Sequence, residues 1–269
     1  MSYPFLKGHG TENDFVLLPD HDGLIHGDLA PSRVAALCDR RAGIGGDGVV
    51  RVVRATAVGE GPGAEWFMDY RNADGSLAEM CGNGIRVLAR HLLDEGLVTG
   101  PTFQVATRAG LRSVTVDGPA VTVDMGTPAV LGETTVSVAG RTWPARHVSM
   151  GNPHAVAFVE DLRDAGALLD PPGFDPTVYP RGVNVEFVAR RGVRHVAMRV
   201  HERGSGETRS CGTGACAVMV ASALADGAGP GETYRVDVPG GELSVTWTAE
   251  DRVLLTGPAV IVARGTTDL

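Results

Sequence analysis

Two cysteines stand in closely matched settings: Cys81 in EMCGNGIRV and Cys211 in RSCGTGACAV. Each is followed by a glycine, a polar residue, a second glycine and the start of an apolar helical run. A thiol at a helix mouth meets backbone N–H groups that lack partners inside the helix, and the positive end of the helix dipole. That setting favours the thiolate, moving the thiol from about 8.5 into the range of roughly 3.5–7.5. The same N–H groups can hold a carboxylate. One such thiol would suit a redox sensor or a lone nucleophile. Two that converge on one cleft supply a base on one face of a carbon and an acid on the other, as inversion of a stereocentre by proton transfer requires. Helix N-termini aimed at the substrate carboxylate would stabilise the charge that develops as the α-proton leaves. The chemistry indicated is epimerisation of an amino acid without a carbonyl cofactor. Cys38 and Cys216 lie inside apolar helical runs and read as core residues. Zinc through Cys211 and Cys216 fails on ligand count.

The elements that must position these thiols are mostly strands. Helical periodicity is confined to Pro31–Arg41, to GIRVLARHLLDEG, and to ACAVMVASALADG. In the second of these Ile85, Leu88, Ala89 and Leu92 form one stripe and Gly96 is the stop. The third is apolar almost all round, as a helix buried on every side would be. LRSVTVDGPAVTVDM reads as a hairpin turning at Asp117 and Gly118. HAVAFV, NVEFV, HVAMRVHER, YRVDVPGGELSVTW and RVLLTGPAVIV alternate as strands do.

The two halves echo one another. Asn72 lies nine residues before Cys81 and Glu202 nine before Cys211, each after a strand-like run. TVDMGTPAV resembles VLLTGPAVIV, as if one crossover closed each half. The expectation is an internal duplication, with residues 1–125 and 258–269 forming one half and 126–257 the other. The thiols would then face each other across a cleft between the halves.

Length and composition fit this picture. A chain of 269 residues with 43% hydrophobic and 21% charged residues is an ordinary globular protein. A net charge of −8 argues against a nucleic-acid surface. The longest apolar run is too short to span a bilayer. The N-terminus lacks a secretory pattern, so the expected location is the cytoplasm, where thiols stay reduced. GIGGDG (43–48) matches the dinucleotide-binding pattern by letter, but a helix precedes it and a strand follows, the reverse of what that site needs. It reads as a tight turn.

Taken together, KGHGTENDF, YRNADGSLAEMCGNGIR, MGNPHAV, GVNVEF and ERGSGETRSCGTGACA closely resemble the diaminopimelate epimerases, in order and over nearly the whole chain. The resemblance implies an α/β fold of the α+β type. In it two pseudo-symmetric halves are each a curled, mostly antiparallel sheet around a central helix. It implies interconversion of LL- and meso-diaminopimelate, on the route to lysine and peptidoglycan, with no cofactor and no metal. Carried over by motif, Cys81 and Cys211 are the catalytic thiols. Asn13, Asn72, Asn152, Asn184, Glu202 and Arg203 contact substrate. Backbone groups of Gly82, Asn83, Gly212 and Thr213 grip the reacting carboxylate. His154 and Glu202 tune the thiols or orient the reacting amine. The partner implied is a small molecule, with neither nucleic acid nor membrane, and the assembly contemplated is a homodimer. Two positions depart from the usual pattern: Glu12 stands where the family has glycine, and Gly48 where some relatives carry a polar residue that touches substrate.

Two rival readings stay open at this level. A racemase of similar architecture acting on proline or hydroxyproline needs little beyond the ring and one carboxylate. The amide-rich set and Arg203, able to fork onto a distal carboxylate, favour a longer zwitterion. The other rival is a redox-active dithiol protein or a non-catalytic binding module.

Overall fold

Alternation builds the sheets. The computed structural model of the chain describes residues 2–60 and 63–269. It divides into two units, residues 1–123 with 257–269 and residues 124–256. The first unit carries strands β1 (Tyr3–Gly10), β2 (Asn13–Pro19), β3 (Gly48–Arg54), β4 (Trp66–Asn72), β5 (Thr102–Thr107), β6 (Gly110–Asp117) and β7 (Ala120–Asp124). The second carries β8 (Ala129–Val138), β9 (Arg141–Ser149), β10 (Pro153–Phe158), β11 (Gly173–Phe174), β12 (Asn184–Gly192), β13 (His195–Glu202), β14 (Gly206–Thr208), β15 (Glu232–Val238), β16 (Gly241–Trp247) and β17 (Val253–Pro258). The last strand, β18 (Val260–Thr267), returns to the first unit. Among the described residues four α-helices accompany them, α1 (Pro31–Cys38), α2 (Ala55–Val58), α3 (Gly82–Asp94) and α4 (Gly212–Ala225), with a short 3-10 turn at Leu162–Ala165.

In the first unit the sheet order is β18–β1–β2–β3–β4–β5–β6–β7. The β2/β3 and β4/β5 pairs are parallel and all other neighbours antiparallel. In the second the order is β8–β9–β10–β12–β13–β15–β16–β17, with β10/β12 and β13/β15 parallel and the rest antiparallel. The same succession of senses occurs twice, and β4 and β13, each the strand that leads to a cysteine, take the same place in it. β11 pairs with β8 and β14 with β13.

Each sheet wraps its own helix. α3 packs on β1, β2, β3, β4, β6 and β18, and α4 on β9, β10, β12, β13, β15 and β16. Strands with one wet face alternate, so Tyr234, Val236 and Val238 of β15 turn inward and pair across the ladder with Val245, Leu243 and Gly241 of β16. The parallel neighbours β2 and β3 are instead buried on both faces, from Phe15 to Leu18 and from Val49 to Val53.

Two expectations need correction at the helices. α1 ends at Cys38 and not Arg41, because the Asp39 carboxylate accepts the Arg41 and Ala42 N–H groups at 2.7 Å each, closing a local turn. α3 is not limited to one buried stripe: Asn83, Arg86 and His91 are buried as well as Ile85, Leu88, Ala89 and Leu92. Strands surround this helix, so its polar residues have to find partners inside the protein. α4 is buried without interruption from Gly214 to Ala223, Cys216 included.

Candidate active site

α3 and α4 each begin with a sulfur cap. Cys81 is the N-cap of α3, with φ −137°, and its sulfur accepts the Gly84 N–H at 3.4 Å. Cys211 is the N-cap of α4, with φ −121°, and its sulfur accepts the Gly214 N–H at 3.3 Å. The first i to i+4 bonds of the helices run from Ile85 N to Cys81 O and from Ala215 N to Cys211 O, both 2.9 Å. The N–H groups of Gly82, Asn83, Gly212 and Thr213 therefore precede the first closed turn, where an anion is favoured.

In the first unit Asn13 opens β2 and lies against the cysteine. Its Oδ1 accepts the Asn83 Nδ2–H at 3.0 Å and is 3.8 Å from the Cys81 sulfur, whose S–H donates to it. Its Nδ2 donates to Asp47 Oδ2 at 2.7 Å. Arg40 bonds both Asp14 and Asp47, and Lys7 pairs with Asp14 at 2.6 Å. Burial would raise the Asp14 carboxyl, but the bonds from Arg40 and Lys7 overcome it and hold the group well below the usual range. Asp47 moves the other way, raised by its own burial and by the neighbouring Asp14 charge. Buried Arg86 closes the network, donating to Asn83 Oδ1 at 2.6 Å, to Thr11 Oγ1 at 3.2 Å and to the Pro258 carbonyl at 3.2 Å. Asn72 ends β4, and its side chain donates to Ser76 Oγ at 3.0 Å within the following turn.

In the second unit Asn152, His154, Thr213 and Cys211 form one chain of contacts. Asn152 Nδ2 donates to Thr213 Oγ1 at 3.3 Å, His154 Nε2 lies 3.1 Å from Asn152 Oδ1, and Thr213 Oγ1 is 3.6 Å from the Cys211 sulfur. Asn184 spends its amide inside the protein, donating to the Pro153 carbonyl at 2.9 Å and accepting the Arg203 N–H at 3.0 Å. It thus braces Arg203, whose exposed side chain helps line a pocket of about 120 Å³ with His201, Val183, Val185 and Phe174. Glu202 ends β13 and accepts a hydrogen bond from the Thr208 hydroxyl.

The helix-mouth setting alone does not decide the Cys211 thiol. Burial pushes it well above its ordinary value, and the Glu202 and Glu186 carboxylates push it further. Hydrogen bonds from Thr213 and the Gly214 amide act in the opposite sense without prevailing. The lowered value expected from the sequence is corrected here for this cysteine, because the low dielectric around a fully buried sulfur outweighs the dipole.

The departures at 12 and 48 have local explanations. Thr11 and Glu12 form the two-residue turn between β1 and β2, with φ of 50° and 60°, the left-handed pair that such a hairpin demands. A side chain at Gly48 has no room: a Cβ there would lie 2.5 Å from the Arg71 carbonyl oxygen and 2.6 Å from the Tyr70 ring. GIGGDG does form a turn between α1 and β3, and the Gly45 and Gly46 amides bond to the Leu37 and Cys38 carbonyls. Its Asp47 was missed by sequence reasoning, as were Arg86 and Glu186. Among the described residues no group of three or more His, Cys, Asp or Glu side chains is arranged to hold a metal ion, and no helix is long and apolar enough to cross a membrane.

This fold is shared with solved structures. A phenazine biosynthesis protein of the PhzF family from Bacillus anthracis matches all of this chain and all of its own, with a TM-score of 0.73 at 15% identity. A hydroxyproline epimerase from Agrobacterium vitis, with bound trans-4-hydroxy-L-proline, matches 99% of this chain and 91% of its own, with a TM-score of 0.68 at 16% identity. At such identities the likeness concerns the fold alone, and it defines the class: two-unit α/β proteins with a curled sheet around a helix in each unit. Within that class the sequence is decisive. The family model for diaminopimelate epimerase matches residues 5–131 and 146–262. The diaminopimelate epimerase of Streptomyces coelicolor is 60% identical over 98% of this chain and 95% of its own length. That of Corynebacterium glutamicum (strain ATCC 13032) is 51% identical over 98% of each. The chain belongs to the diaminopimelate epimerase family, a family of isomerases.

Proposed function

We propose that this protein interconverts LL-2,6-diaminopimelate and meso-diaminopimelate by a two-base mechanism, supplying precursors for lysine and peptidoglycan. The observation that carries the reading is the pair of sulfur-capped helices, each at the same step of a repeated topology and each with its sulfur on the amide three residues on. In one direction a thiolate removes the α-proton while the other cysteine, as a thiol, delivers a proton to the opposite face. In the reverse direction the roles exchange. The developing negative charge lies on the α-carbon and its carboxylate, where the N–H groups of Gly82, Asn83, Gly212 and Thr213 hold it. Asn13, against the Cys81 sulfur, and Asn152, linked to Cys211 through Thr213, orient the reacting amino acid, and His154 acts behind Asn152. Glu202, whose charge acts on Cys211, orients the reacting amine, and Asn72 and Arg203, with Asn184 as a brace, recognise the distal amino and carboxylate groups. A site that pairs every polar group of that far end rejects amino acids that lack it. The active site on this reading lies where the two halves meet, and the reaction uses neither cofactor nor metal.

The proposed setting is cytoplasmic, which keeps both thiols reduced, and the proposed assembly is a homodimer, to be tested by sedimentation. The functional test is proton exchange in heavy water with LL-diaminopimelate and L-proline offered separately. Deuterium entering diaminopimelate and not proline is the expected result. Deuterium entering proline alone would replace this reading with a proline-type racemase.

A further inference from the structure

Glu186 is wholly buried, and its only hydrogen-bonding side chain among the described residues is His154, equally buried, with Nδ1 at 2.7 Å from Oε1. The second carboxylate oxygen, Oε2, has no hydrogen-bond partner among the described residues. A lone charge at such a place is costly, so the pair is stable only as a unit holding one proton between them, on Nδ1 or on Oε1. Movement of that proton along the 2.7 Å contact leaves the unit neutral and needs no other reactant.

The other face of the ring meets an acceptor. His154 Nε2 faces Asn152 Oδ1, which has no proton to give, so Nε2 must carry one. The Asn152 amide is thereby fixed with its Nδ2 toward Thr213 Oγ1. Thr213 Oγ1 accepts that bond and lies 3.6 Å from the Cys211 sulfur, a contact in which either atom can donate; when the sulfur is a thiolate it can only accept, and the Thr213 hydroxyl proton then turns to it. With Cys211 as a thiolate, every donor in the series Nε2, Nδ2 and Oγ1 then points the same way, toward Cys211. Were Nε2 bare, the amide would turn over, Oδ1 would take the Thr213 hydroxyl proton, and the sulfur would lose its donor.

We infer that Glu186 is a positioning residue that sets the direction of this hydrogen-bond series through His154, so that Thr213 donates to Cys211 whenever that cysteine is a thiolate. Glu186 itself touches neither the reacting atoms nor the substrate on this account. Burial raises its carboxyl, and the His154 charge lowers it, in keeping with a proton held jointly.

Nitrogen-15 NMR of histidine-labelled protein at pH 7, with the His154 signals assigned by a His154→Gln variant, reads the first step directly. The native protein is expected to show Nε2 protonated. In Glu186→Leu, where nothing holds Nδ1, the proton is expected to divide between the two nitrogens. A native His154 with a bare Nε2, or a Glu186→Leu spectrum identical to the native one, overturns the inference. This arm does not depend on the function proposed above. A protein inert toward diaminopimelate would sink that function and leave the NMR result to stand by itself.

The kinetic arm rests on the proposed epimerase reading. Glu186→Leu and Thr213→Val are each expected to lower kcat by about tenfold or more, as loss of a hydrogen bond to a charged sulfur should. The double variant is expected to fall no further than the weaker of the two, because both cut one series. Losses that multiply would overturn the inference. If Glu186→Leu does not fold, Glu186→Gln replaces it in both arms: its amide bonds His154 in either sense, so Nε2 should again lose its full proton, and a Gln variant with native spectrum and native coupling to Thr213 counts against the inference.

Discussion

Asn13 donates its amide N–H to Asp47 Oδ2 at 2.7 Å, and this bond fixes which end of Asn13 faces the cysteine. With Nδ2 held by Asp47, Oδ1 is presented to Asn83 and to the Cys81 sulfur. Asp47→Ala should therefore release Asn13 and lower kcat/KM by about tenfold or more, with a stability loss on the order of 1–3 kcal/mol from the unpaired partners left behind. Asp47→Asn, which can still accept through its own Oδ1, should recover part of both. Steady-state kinetics and urea unfolding on the two variants check this, and unchanged constants in Asp47→Ala would refute it.

The two capping glycines should respond differently to alanine. At Gly214 a Cβ would lie 2.8 Å from Glu186 Oε1 and 3.2 Å from the Cys211 sulfur, both parts of a buried and hydrogen-bonded arrangement. At Gly84 the nearest atom, at 2.8 Å, is Met68 Cε, the end of a flexible side chain, and Cys81 Cβ is 3.5 Å away. Gly214→Ala is expected to cost about 100-fold or more in kcat by displacing the thiol, and Gly84→Ala only a few-fold by the same measure. Equal losses at the two positions would contradict the difference in packing.

Stability should depend on pH through His91. Burial, aided by the nearby Arg264 and His21 charges, holds this imidazole at about 4 against the pull of Glu95, and neither ring nitrogen has a hydrogen-bond partner among the described residues. A folded-state value below the unfolded one means that the unfolded chain binds more protons between about pH 4 and 6.5. Stability is then full above that window and falls as the pH drops through it, by on the order of 3 kcal/mol for a shift of this size. The urea midpoint should decline from pH 7.5 to pH 5, and less steeply in His91→Leu. Parallel declines in the two proteins would remove His91 from the account.

Much of this was legible in the sequence, and the reasons lie in particular residues. The starts of α3 and α4 show because Cys-Gly-x-Gly followed by an apolar run announces a helix mouth in local sequence alone. Asn72 and Glu202 show as counterparts because each closes the strand leading to its cysteine, β4 and β13. Glu186 did not show, since its partner His154 is 32 positions away and lies on a different strand. The signal was present in the alternation of Asn184, Val185 and Glu186, which puts the Asn and the Glu on one face of β12. Asp47 was hidden inside a glycine-rich turn whose letters suggested a nucleotide, with Asn13 34 positions away. Arg86 lies off the apolar stripe of Ile85, Leu88, Ala89 and Leu92, where helical periodicity places a wet side. A sheet that wraps all round α3 leaves that helix no wet side at this position, and no local periodicity records the wrapping.

The central claim is that two thiols act on one carbon from opposite sides, and it is tested most directly by removing each in turn. Native protein, Cys81→Ala and Cys211→Ala are given LL-diaminopimelate, and separately meso-diaminopimelate, in heavy water, while product and α-deuterium are followed together. The account predicts that native protein forms the other isomer with deuterium at the inverted carbon, and that each variant keeps its fold but forms none in either direction. Either variant turning over at close to the native rate in both directions would contradict it.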